Sequence, residues 1–171
     1  MDILTKINWV DILIVIIIVR ISYIALHDGL SHEIFPLIGA VMTTAISMRY
    51  YHDLALFIQG MAGLSIQILG LLAFIALVIG IGLIFKLARF LVDALLKVTW
   101  HPFVERFGGL IVGFLRASVV VSILLMIMSL MPLSYLQYSV RDKSLLGPYF
   151  LNIASEISNK AAWAFPAIVK K

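Results

Sequence analysis

Cysteine is absent from the 171 residues, which excludes disulfides, thiol nucleophiles and cysteine-ligated zinc or iron–sulfur centres. Charge is scarce as well. Only 13% of residues are Asp, Glu, Lys or Arg, where a soluble domain carries about a quarter. No dense Lys/Arg run exists, so a nucleic-acid partner is not expected, and the formal net charge of +4 reads as loop charge facing anionic headgroups. A phosphate-cradling glycine loop and paired intramembrane aspartates are also missing. Ser31, His32 and Glu33 are contiguous, and adjacent helical side chains point apart, so they form no triad. His27 and His32 are five apart, whereas helical metal pairs sit at a spacing of four. The expectation is a non-enzyme with no cofactor and no metal.

Apolar residues fill the space that charge leaves. They make up 63% of the chain, and the mean hydropathy is +1.10. Water could not solvate a core large enough to hide that surface, so the expected solvent is lipid and the chain an integral membrane protein, one domain over residues 1–171. A helical span needs about 20 mostly apolar residues to cross ~30 Å of hydrocarbon. Four stretches qualify: 9–27, 34–50 (interrupted by Pro36), 64–85 and 107–131, the last ended by Pro132. Each must be helical, because unpaired backbone groups are not tolerated in lipid. The start "MDILTKINWVD" mixes both charges and lacks a small-residue cleavage site, so it reads as leading into a retained first span. The short connection 28–33 predicts an antiparallel hairpin of the first two spans.

Two further segments are amphipathic. In residues 86–98, Lys86, Arg89, Asp93 and Lys97 share one helix face opposite Phe90, Leu91, Leu95 and Val98, which predicts an interfacial helix between spans three and four, with Trp100 at headgroup depth. In the tail 132–171, Pro148 suits a first helical position, and Phe150, Ile153, Ile157, Ala161 and Ala164 form a stripe. That helix either packs on the bundle or lies on the membrane surface. The fold class is thus all-α: a membrane four-helix bundle with an interfacial amphipathic helix and a short helical tail. Lys86, Arg89, Lys97 and Arg106 on one side balance Lys6, Arg49, Arg141 and Lys143 on the other. The density of the first set favours residues 86–106 as cytoplasmic, with both termini outside.

Small residues recur every fourth position in two spans, Gly109, Gly113 and Ala117 in one and Gly39, Thr43 and Ser47 in another. Such strips let helix backbones approach closely in lipid, within one bundle or between copies. The intramembrane arginines are the sharper signal. Arg20 and Arg116 both fall roughly 10–14 Å below one surface, which also carries Asp28, Glu33, Asp93 and Glu105. They either snorkel to the headgroups or turn inward to carboxylates or an aqueous path. Asp11, near the opposite end of its span, reads as an interfacial residue.

The stretch "NWVDILIVIIIVRISYIALHDGLSHEIFPLIGA" resembles the opening of the colicin V production protein family, bacterial inner-membrane proteins, through Trp9, Asp11, Gly29 and Glu33. "ERFGGLIVGFLRASVVV" is similar to a later block of that family through Glu105, Arg106, Gly109, Gly113 and Arg116, and "SLLGPYF" to its Ser…Pro element. Asp28 and Ala117 depart from the usual pattern, and Arg20 stands where the family is commonly uncharged. The resemblance implies a multi-pass protein of the bacterial inner membrane needed for toxin production or export and envelope homeostasis. The leading expectation is an accessory or assembly factor working through helix–helix contacts, with lipids and either its own copies or other membrane proteins as partners. The alternative is a small oligomeric channel or transporter in which Arg20 and Arg116 line a polar path. Functional candidates are Arg20, Asp28, Gly29, Glu33, Glu105, Arg106 and Arg116.

Overall fold

Asn8 opens the first helix, α1 (Trp9–Asp28), with a reciprocal cap: its side-chain oxygen accepts from Trp9 N at 2.8 Å, while Asp11 accepts from Asn8 N at 2.9 Å. The computed structural model describes the backbone of residues 8–62, 65–95 and 101–164, and every regular element among these is helical. Gly29 ends α1 at φ +86°, a conformation side chains with a Cβ rarely adopt, and its N–H donates to Ala25 O at 3.0 Å. The next helix, α2 (Leu30–Ala62), begins at once. A one-residue joint replaces the longer connection that was expected. From it α1 runs mainly along a later helix, so the first two spans do not pack along their length as a hairpin.

The helices outrun their apolar cores. α2 has 33 residues, about 50 Å at 1.5 Å per residue, against the 34–50 read from hydropathy. Nothing after Tyr50 breaks it, since Tyr51 to Gln59 contains neither Gly nor Pro. Pro36 sits inside α2 without ending it. The carbonyl it deprives of a donor belongs to His32, an exposed residue in the first turn. α3 (Ile66–Leu95) likewise absorbs the segment expected as a separate amphipathic helix. Residues 86–95 are helical but continue the third span, because no Gly or Pro follows Gly82 to bend the axis. Lys97, Val98 and Trp100 lie outside the described residues.

α4 (Pro102–Leu130) starts with proline at its first position and ends where Met131 turns extended (φ −62°, ψ 134°) before Pro132. A short helix α5 (Ser134–Tyr138) and a π-helical turn (Ser139–Lys143) lead to α6 (Gly147–Ala164). α4 is the hub: α1 and α2 lie along it, α6 packs on both α4 and α2, and α3 is held chiefly by α2. The tail helix is therefore packed on the bundle. One core joins Val10, Ile14, Val121, Leu125 and Val140, and a second joins Ala55, Leu69 and Ala73. Outside, large apolar side chains such as Phe57, Ile84 and Phe90 are open. Four helices, α1 to α4, are long and apolar enough to span a bilayer. This is a multi-pass membrane protein.

Candidate functional site

The strip in α4 meets α1 inside the same chain. A Cβ on Gly113 would collide with Ala25 Cβ, and one on Gly109 would strike Ala25 O and stand 2.9 Å from the Gly29 carbonyl carbon. Ala117, next on the strip, is fully buried. α1 and α4 thus touch nearly backbone to backbone, the approach that small residues permit in lipid. In α2, Gly39 faces Phe85 of α3, where an added Cβ would stand 3.1 Å from Phe85 Cβ, while Thr43 and Ser47 are buried.

This contact carries the Gly29 joint against the first turn of α4. Glu105 accepts from Ser31 N at 3.1 Å, so a carboxylate from one helix start caps another. A Cβ on Gly29 would lie 2.6 Å from Glu105 Cγ. Glycine is required there both by its dihedral and by the side chain above it.

One turn deeper, Glu33 and Arg116 meet. Arg116 Nε stands 3.1 Å from Glu33 Oε2, with the carboxylate side 1% exposed and the guanidinium 18%. Neither Glu33 oxygen accepts a well-directed hydrogen bond from any described residue. The contact is therefore a close ion pair rather than a forked, fully bonded one. Two hydroxyls of α4 are settled locally: Ser118 donates to Phe114 O and Ser122 to Ser118 O, at 2.9 and 2.8 Å.

At the other end of α1 a second buried carboxylate organises the tail. Asp11, 5% exposed, accepts from Ser144 Oγ at 2.6 Å and from Leu146 N and Leu145 N at 3.0 and 3.3 Å, besides the cap on Asn8. Ser144 in turn accepts from Gly147 N at 2.8 Å, and Asn8 Nδ2 donates to Ser139 O at 2.9 Å. The anion sits between the N-terminal ends of α1 and α6, where both helix dipoles favour it. Asp11, near the end of its span, is buried within the protein and is the clasp of the tail. Two signals could have found it: the Asn8–Asp11 spacing of a capping box, and Ser144 opening the Ser…Pro element. Replacing Asp11 with alanine leaves four donors without their acceptor and should loosen α6 by about 2–3 kcal/mol. The native chain has no cysteine, so a single Val140→Cys reports this directly. Val140 is fully buried, and maleimide should label the cysteine readily only when Asp11→Ala is also present. Equal labelling with and without that change would refute the clasp.

The remaining candidates are not drawn together. Arg20, Asp28 and Arg106 are exposed, as are His27 and His32. Arg20 is exposed whereas Arg116 is held by the buried Glu33, so within one copy the two arginines do not share an inward path. Arg141, not singled out beforehand as a site residue, holds Ser129 Oγ through Nε and Nη2 at 3.1 and 2.8 Å, tying the π-helical turn back to α4.

The residues that meet here, Gly29 with Gly109, Glu33 with Arg116 and Asp11 with Ser144, come from stretches far apart in sequence that the resemblance had linked. No curated protein and no solved structure matches the chain. The family model described as colicin V production protein matches residues 10–155, from the second residue of α1 into α6. With that match over most of its length, and with four membrane-spanning helices, the chain belongs to the colicin V production protein family.

Proposed function

We propose that this protein serves colicin V production from the bacterial inner membrane as a non-enzymatic accessory or assembly factor, acting through contacts between its helices and those of other membrane proteins or of a second copy. Membership of the family supports involvement in toxin production. The finer reading is carried by the pairing of Arg116 with Glu33. The arginine that turns inward spends its charge on a buried carboxylate, and Glu105 and Asp11 are likewise spent on joining helices. Polar groups used this way build a scaffold. A conduit would need them facing water along a continuous line.

The channel reading keeps one foothold, the exposed Arg20 on the outer face of α1, which can reach a path only between copies. Ion flux through liposomes carrying the purified chain separates the two. The expected result is flux no greater than in empty liposomes, for wild type and Arg20→Leu alike. Flux through wild type that falls when Arg20 is replaced would overturn the scaffold and install the oligomeric channel.

A further inference from the structure

α1 buries one side only. Val10, Ile14, Ser22 and Ala25 are buried, whereas Ile12, Ile16, Val19, Tyr23 and Ile24 on the other side are exposed. Arg20 is exposed in the middle of that apolar face. It stands 11 residues from Trp9 and eight from Asp28, about 16 Å from one end of the span and about 12 Å from the other. No carboxylate among the described residues pairs with it. Helical side chains lean toward the N-terminus of their helix, so the stem of Arg20 leans toward Trp9 and away from the nearer end. α4 runs antiparallel to α1, since Gly109 meets Gly29 while Val121 and Leu125 pack with Val10 and Ile14. The same lean therefore takes Arg116 toward its nearer surface and Arg20 toward the bilayer centre. A guanidinium aimed away from the headgroups is costly without an anion at its own depth.

We infer that the exposed face of α1 docks a transmembrane helix of another protein that carries an Asp or Glu near mid-bilayer, with Arg20 as the ion-pair partner of that carboxylate. The inference rests on the reading of the protein as a factor working through helix contacts, and it names the chemistry of the partner. Charge complementarity selects that partner. Two copies related by a two-fold axis along the membrane normal would set Arg20 against Arg20 at one depth. A second copy in another orientation offers no exposed carboxylate there among the described residues. Asp28 ends α1, and Asp142 follows α4. Asp53 lies 20 residues past Glu33 on α2, about 30 Å along the axis. Glu156 is tied to Lys160 at 3.3 Å. A lipid phosphate stays at the surface, against the lean of the arginine.

Energy transfer in phosphatidylcholine vesicles tests this, between the full chain labelled at one introduced cysteine and a synthetic leucine-rich transmembrane peptide with Glu or Leu at its centre. The Glu peptide should associate about five-fold more tightly than the Leu peptide, the scale of one interhelical polar contact in lipid. Arg20→Leu should abolish that preference, and Arg20→Glu should transfer it to a peptide centred on Lys. Arg20 is exposed, so neither variant breaks a packed contact. Equal association of the Glu and Leu peptides with wild type, or a preference that survives Arg20→Leu, would overturn the assignment. So would a preference lost when phosphatidylglycerol is added, which would give Arg20 to lipid phosphate. Transfer between two labelled copies that falls with Arg20→Leu would likewise overturn it and give the face to a second copy. Ion flux judges the scaffold separately: flux through wild type would sink that reading whatever the peptides do, while tight liposomes with no peptide preference would sink this docking face alone.

Discussion

Arg116→Leu should be the most damaging single change of a charged residue in the protein, and a second substitution should largely repair it. Glu33 is 1% exposed, and Arg116 Nε stands 3.1 Å from its carboxylate. Removing the arginine strands a carboxylate between α2 and α4, and breaking a buried pair from one side costs about 3–5 kcal/mol. The converse change, Glu33→Leu, strands a guanidinium that is 18% exposed. Its long stem can still reach the headgroups, so that variant should suffer less. Replacing both with leucine removes the unpaired charge altogether, and buried pairs exchanged for apolar residues of similar bulk are often neutral. The expected order of melting temperature in detergent is therefore wild type and the double variant together, then Glu33→Leu, then Arg116→Leu lowest by on the order of 10 °C. A double variant as unstable as Arg116→Leu would mean that the arginine matters for something other than its carboxylate.

How this pair arises shows what the sequence could and could not disclose. Apolar runs marked four spans, and four helices cover them, because lipid permits nothing else. Their ends were misjudged because hydropathy reports the hydrocarbon layer, whereas a helix continues until Gly, Pro or a cap stops it. Residues 51–59 and 86–95 contain neither Gly nor Pro. The arginines were legible as anomalies, yet their directions were not. α1 is apolar nearly all round, so no periodicity distinguishes the lipid side from the protein side at Arg20. Glu33 was visible on the same surface as Arg116, but the choice between snorkelling and pairing depends on how α2 is angled against α4. That angle follows from the one-residue joint at Gly29 and from the Gly109–Gly113 contact with Ala25. Asp11 escaped because its partners lie more than 130 residues away, and only folding brings Ser144 and Leu146 to it.

The small-residue strip gives the other large effect, and its direction distinguishes packing inside the chain from packing between copies. At Gly113 the space for a first side-chain carbon is already taken by Ala25 Cβ. Gly113→Leu must therefore push α1 off α4, and with it the joint that Glu105 caps and the register that brings Arg116 to Glu33. Overpacking a tight contact costs about 1–3 kcal/mol even where side chains can shift; here the obstacle is an alanine against a helix backbone, which has little freedom to yield. The loss should reach or exceed the top of that range. Gly113→Ala should be milder, and adding Ala25→Gly to it should recover much of the stability by returning the lost space. Gly80→Leu on α3, with nothing within 4 Å of the added carbon, should leave the melting temperature unchanged. Because the partner surface belongs to the same chain, the destabilisation should be identical at low and high protein concentration in detergent. A strip that joined two copies would instead give a deficit that shrinks as the protein is concentrated, since association stabilises by mass action.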